Sequence, residues 1–194
     1  MSSLRDFEPW TKEQFFAWQQ GQSERYELVG GFPLKMMTGV SRRHDRMVVK
    51  IIVALERRLS GSPCETFTAD GSVETLPNQV RRPDVGIDCG PTGPEDFKAK
   101  SPTVVFEVLS PTTRDFDRIR KLEKYKHVPT MRHIVIVEPK FVGVIHVSRT
   151  SEDEAWQTEI TNEMDRVLAL TGAGIELPLS EIYAGAELSD PPKP

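Results

Sequence analysis

Apolar positions recur along the chain in two distinct rhythms. The clearest helical rhythm runs from Ser41 to Leu59, where Val48, Ile51, Ile52, Leu55 and Leu59 fall on one stripe at i, i+3, i+4 spacing. Ser41 is its natural cap, and Ser60-Gly61-Ser62-Pro63 ends it. A shorter helix is predicted over residues 11–20, TKEQFFAWQQ, with Thr11 as cap, Gln14 as capping-box partner and Gly21 as stop. A third is predicted from about Thr113 to His127. Thr112 or Thr113 caps it, Ile119, Leu122 and Tyr125 face inward, and Pro129 stops it.

The other rhythm belongs to strands. Residues 25–37, RYELVGGFPLKMM, read as two strands around Gly30-Gly31, with Pro33 placing the second at its start or at a sheet edge. CETFTA and SVETL read as a second hairpin across Asp70-Gly71. PNQVRRP, residues 77–83, reads as a loop leading into DVGID, and residues 89–102 as a surface loop. TVVFEVLS, residues 103–110, reads as a core strand. HIVIVEP and FVGVIHVS form a further pair with Pro139-Lys140 near the turn. Trp156 to Ile160 and Val167 to Leu170 are two more candidate strands, and Ser180 to Tyr183 a helical turn. This order gives an α+β fold, a mixed layer around a central sheet rather than a regular βαβ repeat. A length of 194 residues fits one domain, 1–194, with a core over about 25–183 and loose ends at 1–10 and 187–194.

Composition narrows the classes. A hydrophobic share of 38% and a charged share of 28% are those of a globular protein. A net charge of −4 excludes a surface that is basic throughout. It leaves room for a local basic groove, or for acids offset by a divalent cation. Cys64 and Cys89 lie far apart with no CxxC spacing, so two reduced, buried thiols are expected rather than a disulfide or a zinc site. No apolar run approaches the roughly 20 residues of a membrane span. The start, MSSLRDFEPW, has no signal-peptide pattern, so a cytoplasmic protein without membrane association is expected.

The candidate chemistry centres on two acids. Glu107 interrupts Val-Val-Phe-x-Val-Leu, and a carboxylate there is costly to bury unless it is paired or binds a cation. Asp84 stands at the head of another apolar run, 23 residues earlier. If the two strands pair, both carboxylates converge on one Mg²⁺ or Mn²⁺, with the main-chain carbonyl of Val108 as a further ligand and waters completing the shell. Lys121 lies on the following helix, one turn before Tyr125 and one turn after Asp117. Arg114, Arg118, Arg120, Lys121, Lys124 and Lys126 make this the most basic stretch of the chain, suited to a phosphate backbone.

RRPDVGID, VVFEVLSPTTRDFDRIRKLEKYKHVP and HIVIVEP, in that order, resemble the PD-(D/E)xK superfamily of restriction-endonuclease-like nucleases, and more narrowly the Uma-two family of bacterial endonucleases. The resemblance runs from about Tyr26 to Tyr183. It implies a restriction-endonuclease-like central mixed sheet, DNA as substrate, Mg²⁺ or Mn²⁺ as cofactor, and a homodimer that cuts both strands. Asp84 matches the Asp of the motif and Glu107 its second acid. Leu109 stands where the usual lysine would be, so the resemblance points to Lys121 from the next helix. YELVGG resembles the family's first hairpin, making Glu27 a further candidate acid, although Phe32 replaces the acidic residue relatives carry after the glycine. His44 matches a histidine at the start of the long helix. Arg82, Gln79, Ser110 and Tyr125 complete the candidate set near the substrate.

Each of these residues also has a bland reading. Asp84 can bond loop amides at the start of a strand. Glu107 can be satisfied by Arg81, Arg82 or Lys121, and Glu27 by Arg25 or an arginine of the long helix. His44 can be a hydrogen-bonded histidine at the core's edge, and Lys121 a solvated helix lysine. On those readings the fold is a catalytically silent nucleic-acid-binding or protein-interaction module. A nucleophilic Ser110 is the weakest alternative, because no G-x-S-x-G elbow surrounds it.

Overall fold

In a computed structural model, residues 8–36, 41–110 and 121–191 are described. The chain begins with helix α1 (Lys12–Gln19), whose capping box forms as expected: the Gln14 amide donates to Thr11 Oγ1 and the Thr11 amide to Gln14 Oε1. Strands β1 (Tyr26–Val29) and β2 (Phe32–Lys35) follow as the predicted hairpin. Gly30 and Gly31 both take positive φ at its turn. A side chain at Gly31 would also run into Pro9, and the Trp10 amide donates to the Gly31 carbonyl at 2.8 Å. Residues 8–10 are therefore tied to the hairpin rather than loose. The expected loose end at 187–191 is likewise held, since the amide and hydroxyl of Ser189 both donate to the Lys140 carbonyl.

Helix α2 (Arg42–Leu59) starts at a Ser41 cap. It buries Met47, Ile51, Ala54, Leu55 and Leu59 against one face of a six-stranded sheet, on Val85, Ile87, Val104, Phe106 and Val135. Full burial of a side chain such as Ile51 or Leu55 contributes about 1.5–3 kcal/mol, so this stripe anchors the helix. The sheet runs β10-β9-β8-β7-β6-β3 and comprises β3 (Glu65–Thr68), β6 (Val85–Asp88), β7 (Pro102–Val108), β8 (His133–Val137), β9 (Val144–Ser148) and β10 (Gln157–Thr161). Only β7 and β8 run parallel within it; the other neighbours are antiparallel. On its opposite face, Val105, Ile134 and Val147 pack with Tyr125, Val128 and Met131. Tyr125 ends α3, helical over the described residues 121–125. The predicted start of this helix near Thr113, with Ile119, Asp117, Arg114, Arg118 and Arg120, lies outside the described residues.

A four-stranded antiparallel sheet, β2-β1-β5-β4, adds β4 (Val73–Leu76) and β5 (Gln79–Arg81). Pro33 sits on its edge strand β2, where a missing amide costs no ladder bond. Two expectations fail here. CETFTA and SVETL do not pair: β3 joins β6 in the large sheet and β4 joins β5 in the small one, so the Asp70-Gly71 turn carries the chain between sheets. Residues 77–83 are also more than a loop, since Gln79–Arg81 is a strand bonded to both β4 and β1. Three residues are too few to show a period. The chain closes with a ribbon of β11 (Val167–Leu170) and β12 (Ile175–Pro178), the latter unforeseen, and with α4 (Leu179–Ile182).

The cysteines also depart from expectation. Glu65 pairs with Asp88 across β3 and β6, so the same register sets Cys64 beside Cys89. Their Cα atoms are 4.0 Å apart and they form a disulfide. Sequence spacing carried no trace of this, because the pairing is made by sheet register and not by local separation.

Candidate functional site

Strand pairing sets the first two acids. Val85 lies opposite Phe106 in the antiparallel β6–β7 pair, so Asp84 comes opposite Glu107 in the same register. Directly opposed residues share a face of the sheet, with Cβ atoms about 4.5–5.5 Å apart. The convergence expected of Asp84 and Glu107 is therefore a consequence of register. Asp84 Oδ2 accepts the Val108 amide at 2.7 Å and lies 3.3 Å from Nε2 of His44. Asp84 thus does bond a strand amide, as its bland reading has it, and it also holds the histidine.

Glu107 is reached from two further elements. Lys121 and Tyr125 stand four residues apart on α3, so one helical face presents both. The Tyr125 hydroxyl donates to Glu107 Oε1 at 2.8 Å, and Lys121 Nζ lies 3.6 Å from the same oxygen. Lys121 Nζ is also 3.2 Å from Oε1 of Glu27 on β1. Leu28 beside it packs with Phe15 and Val80 in a separate apolar cluster, so strand alternation sends Glu27 to the other face. Glu27 is paired with Arg81 at 2.9 Å and accepts the Arg82 amide at 3.0 Å. Its partner is therefore Arg81, while Arg25 pairs with Asp70.

Burial and charge set the protonation states. Burial drives the Glu107 carboxyl up, Lys121 pulls it back, and Asp84 and Glu27 raise it again, leaving it at about 7. Burial also opposes charge on Lys121, but Glu107 and Glu27 outweigh it and hold the ammonium above its ordinary range. Burial pushes Glu27 up, yet Lys121 and Arg81 keep it below the usual carboxylate value. Burial lowers the His44 imidazole, and its bond to Asp84 more than restores it. Burial, then the charge of Glu107, raises the Tyr125 phenol well above its normal value. Lys121 is therefore a charge donor here and not a proton acceptor, whereas Glu107 changes state near neutrality.

Among the described residues, no three histidine, cysteine or acidic side chains are grouped to hold a metal. Asp84 and Glu107 fit a hard divalent cation, which is commonly taken up by one or two carboxylates with waters and substrate oxygens. The upward push on Glu107 comes first from burial and then, against the pull of Lys121, from Asp84 and Glu27, and a bound cation would oppose it. His44 adds a buried Nδ1 with no hydrogen-bond partner.

The other candidates bring no side chain to the acids among the hydrogen bonds and ion pairs of the described residues, although the main-chain amides of Arg82 and Val108 donate to Glu27 and Asp84. The Arg82 guanidinium is taken up by the carbonyls of Tyr26, Ala69, Asp70 and Gly71, where it ties the intersheet turn. Gln79 Oε1 is buried without a hydrogen bond. The Val108 amide is engaged by Asp84. Ser110 lies past the end of β7, in a cleft with Arg43 and Lys140. Arg81 was missed as a partner of Glu27. Its only signal was its place in the RRPD run, since the strand that aims it is too short to read.

Comparison with known proteins agrees with this architecture. A crystal structure described as a putative nuclease belonging to DUF820, from Anabaena variabilis, aligns over 91% of this chain and 98% of its own length, with a TM-score of 0.70 and 14% identity. It shares the fold. An uncharacterized protein of Synechocystis sp. is 28% identical over 175 residues, covering 89% of this chain and 90% of that one. The profile of the Uma2 family, described as "Putative restriction endonuclease", matches residues 12–180, and the chain belongs to that family.

Proposed function

We propose that this protein is a metal-dependent endonuclease that hydrolyses phosphodiester bonds of DNA. The observation that carries the reading is Lys121 Nζ at 3.6 Å from Glu107, itself opposed to Asp84 across a strand pair. This supplies an Asp, a Glu and a Lys in one place although Leu109 occupies the usual lysine position. Asp84 and Glu107 hold Mg²⁺ or Mn²⁺, with Val108 offering its carbonyl. When bound, such a cation supplies positive charge against the phosphoryl oxygens and a more acidic water. Lys121, kept cationic by its two acids, orients the attacking water and stabilises charge developing on the phosphate. Glu27 fixes the Lys121 ammonium. Tyr125 fixes the Glu107 carboxylate, and His44 fixes Asp84. A homodimer, one copy on each DNA strand, completes the reading.

The test pairs calorimetry with Mn²⁺ and cleavage of plasmid DNA. The wild type binds Mn²⁺ and cuts, while Asp84→Asn and Glu107→Ala, still folded by circular dichroism, do neither. A Glu107→Ala protein as active as wild type would remove the assignment. A second reading, a silent nucleic-acid-binding or protein-interaction module, is favoured by one observation: Lys121 is already engaged by both Glu27 and Glu107. Wild-type protein that binds no Mn²⁺ selects that module.

A further inference from the structure

Beyond the carboxyl end of β7, which carries Glu107, lies a cleft of about 330 Å³ lined by Ser41, Arg43, Leu109, Ser110, Glu138 and Lys140. Topology sets its place. β7 and β8 are the parallel pair of the large sheet, and ligands of open sheets collect beyond the carboxyl ends of such strands. The Leu109 amide donates to the Val137 carbonyl at 2.8 Å, which holds the two strand ends side by side. Lys140 is carried on a fixed turn: its amide donates to Glu138 Oε1 at 2.9 Å and its carbonyl accepts from Ser189 at 2.8 Å. Glu138 therefore spends one carboxylate oxygen on the main chain. Arg43 precedes His44, which reaches Asp84, and Leu109 comes two residues after Glu107. The cleft thus lies beyond the carboxyl end of the strand that carries Glu107.

Its cations are uncommitted. Neither Arg43 nor Lys140 forms an ion pair among the described residues, unlike Lys12, Arg58 or Lys100. Arg42, Arg43 and Arg46 are exposed at the start of α2, where only Asp45 supplies an acid. Positive charge in a first turn opposes the helix dipole. Local rules are broken most often at functional sites. An anion in the cleft compensates both the arginines and the helix end.

We propose that this cleft binds a backbone phosphate of the DNA strand next to the one being cut, through Arg43 and Lys140. The inference rests on the nuclease reading of the acids. It also supplies positive charge for a strand that the site's own carboxylates repel, since Arg43 immediately precedes His44, which holds Asp84. The contact is to phosphate and so carries no base specificity.

The test is anisotropy of a labelled DNA duplex, with Ca²⁺ in place of Mg²⁺, across a salt series. Arg43→Ala and Lys140→Ala each weaken binding irrespective of base sequence. Each also reduces the steepness of log K against log salt by about 0.9, the loss of one phosphate contact. Arg43→Lys keeps the wild-type slope. Arg57→Ala, an equal change of net charge at the far end of α2, leaves the slope unchanged. Mn²⁺ calorimetry stays at the wild-type value in all four variants. If Arg43→Ala and Lys140→Ala keep the wild-type slope, or if Arg57→Ala reduces it equally, the cleft is not a phosphate site. Wild-type protein that binds Mn²⁺ and DNA, with the wild-type slope kept in Arg43→Ala and Lys140→Ala, overturns this inference alone, whereas failure to bind Mn²⁺ or DNA overturns the nuclease reading as well.

Discussion

Glu107→Gln isolates the electrostatic load of the site. The wild-type carboxyl is held at about 7 against an ordinary 4.5. Its pKa is raised in the folded state, so its contribution to stability is complete below about pH 4.5 and is lost as pH rises through about 7. At about 1.4 kcal/mol for each tenfold change in proton affinity, the loss reaches about 3 kcal/mol. This is a ceiling, because the side chain keeps 16% of its surface exposed and water shares the load. Glutamine keeps the shape and an acceptor for Tyr125 without the titration. Urea unfolding between about pH 5 and pH 8 should therefore show wild-type stability falling relative to Glu107→Gln by most of this amount, while both proteins share the gain from His133 and His146, whose imidazoles burial holds below their ordinary range. What decline remains in the variant above about pH 6.5 belongs to His44, whose raised pKa acts in the same direction as that of Glu107. Added Mn²⁺ should restore wild-type stability most at the alkaline end, where Glu107 is ionised, and should leave Glu107→Gln unmoved. Parallel curves for the two proteins across the whole range would refute the reasoning.

Three further outcomes test the scaffold. Arg81→Met leaves the buried Glu27 with Lys121 and the Arg82 amide, and breaking such a pair should cost about 3 kcal/mol or more in urea unfolding at neutral pH. Gly86→Ala drives a methyl into the Phe67 ring stacked over it and should cost about 1–3 kcal/mol by the same measurement, with no change in Mn²⁺ affinity. Reducing the Cys64–Cys89 bond opens a cross-link spanning 25 positions, and the unfolding free energy should fall by about 3 kcal/mol, with a matching drop in Tm.

Glu27 shows why part of the site resisted reading. Its neighbours in sequence, Arg25 and Tyr26, say nothing of Arg81 or Lys121, which reach it from β5 and α3. The short strand β5 lies below the length at which alternation can be recognised, and it is the element that aims Arg81. The same blindness turned β3 and β4 into a hairpin. A turn of Asp and Gly marks a reversal of the chain but not which sheet receives each arm.

What the sequence determined by itself was local or chemical. The stripe of α2, the capping box of α1 and the glycine hairpin follow from side-chain period and from backbone limits that act within a few residues. Asp84 and Glu107 stood out because an acid inside a strand of valines must find a partner. Tertiary structure decided the rest. It set Asp84 opposite Glu107, carried Lys121 to 3.6 Å from Glu107, and bonded Cys64 to Cys89. Each of these depends on register and packing between segments tens of residues apart. Such contacts are selected by burial of whole faces against the entropy of closing the chain, and no local pattern records that choice.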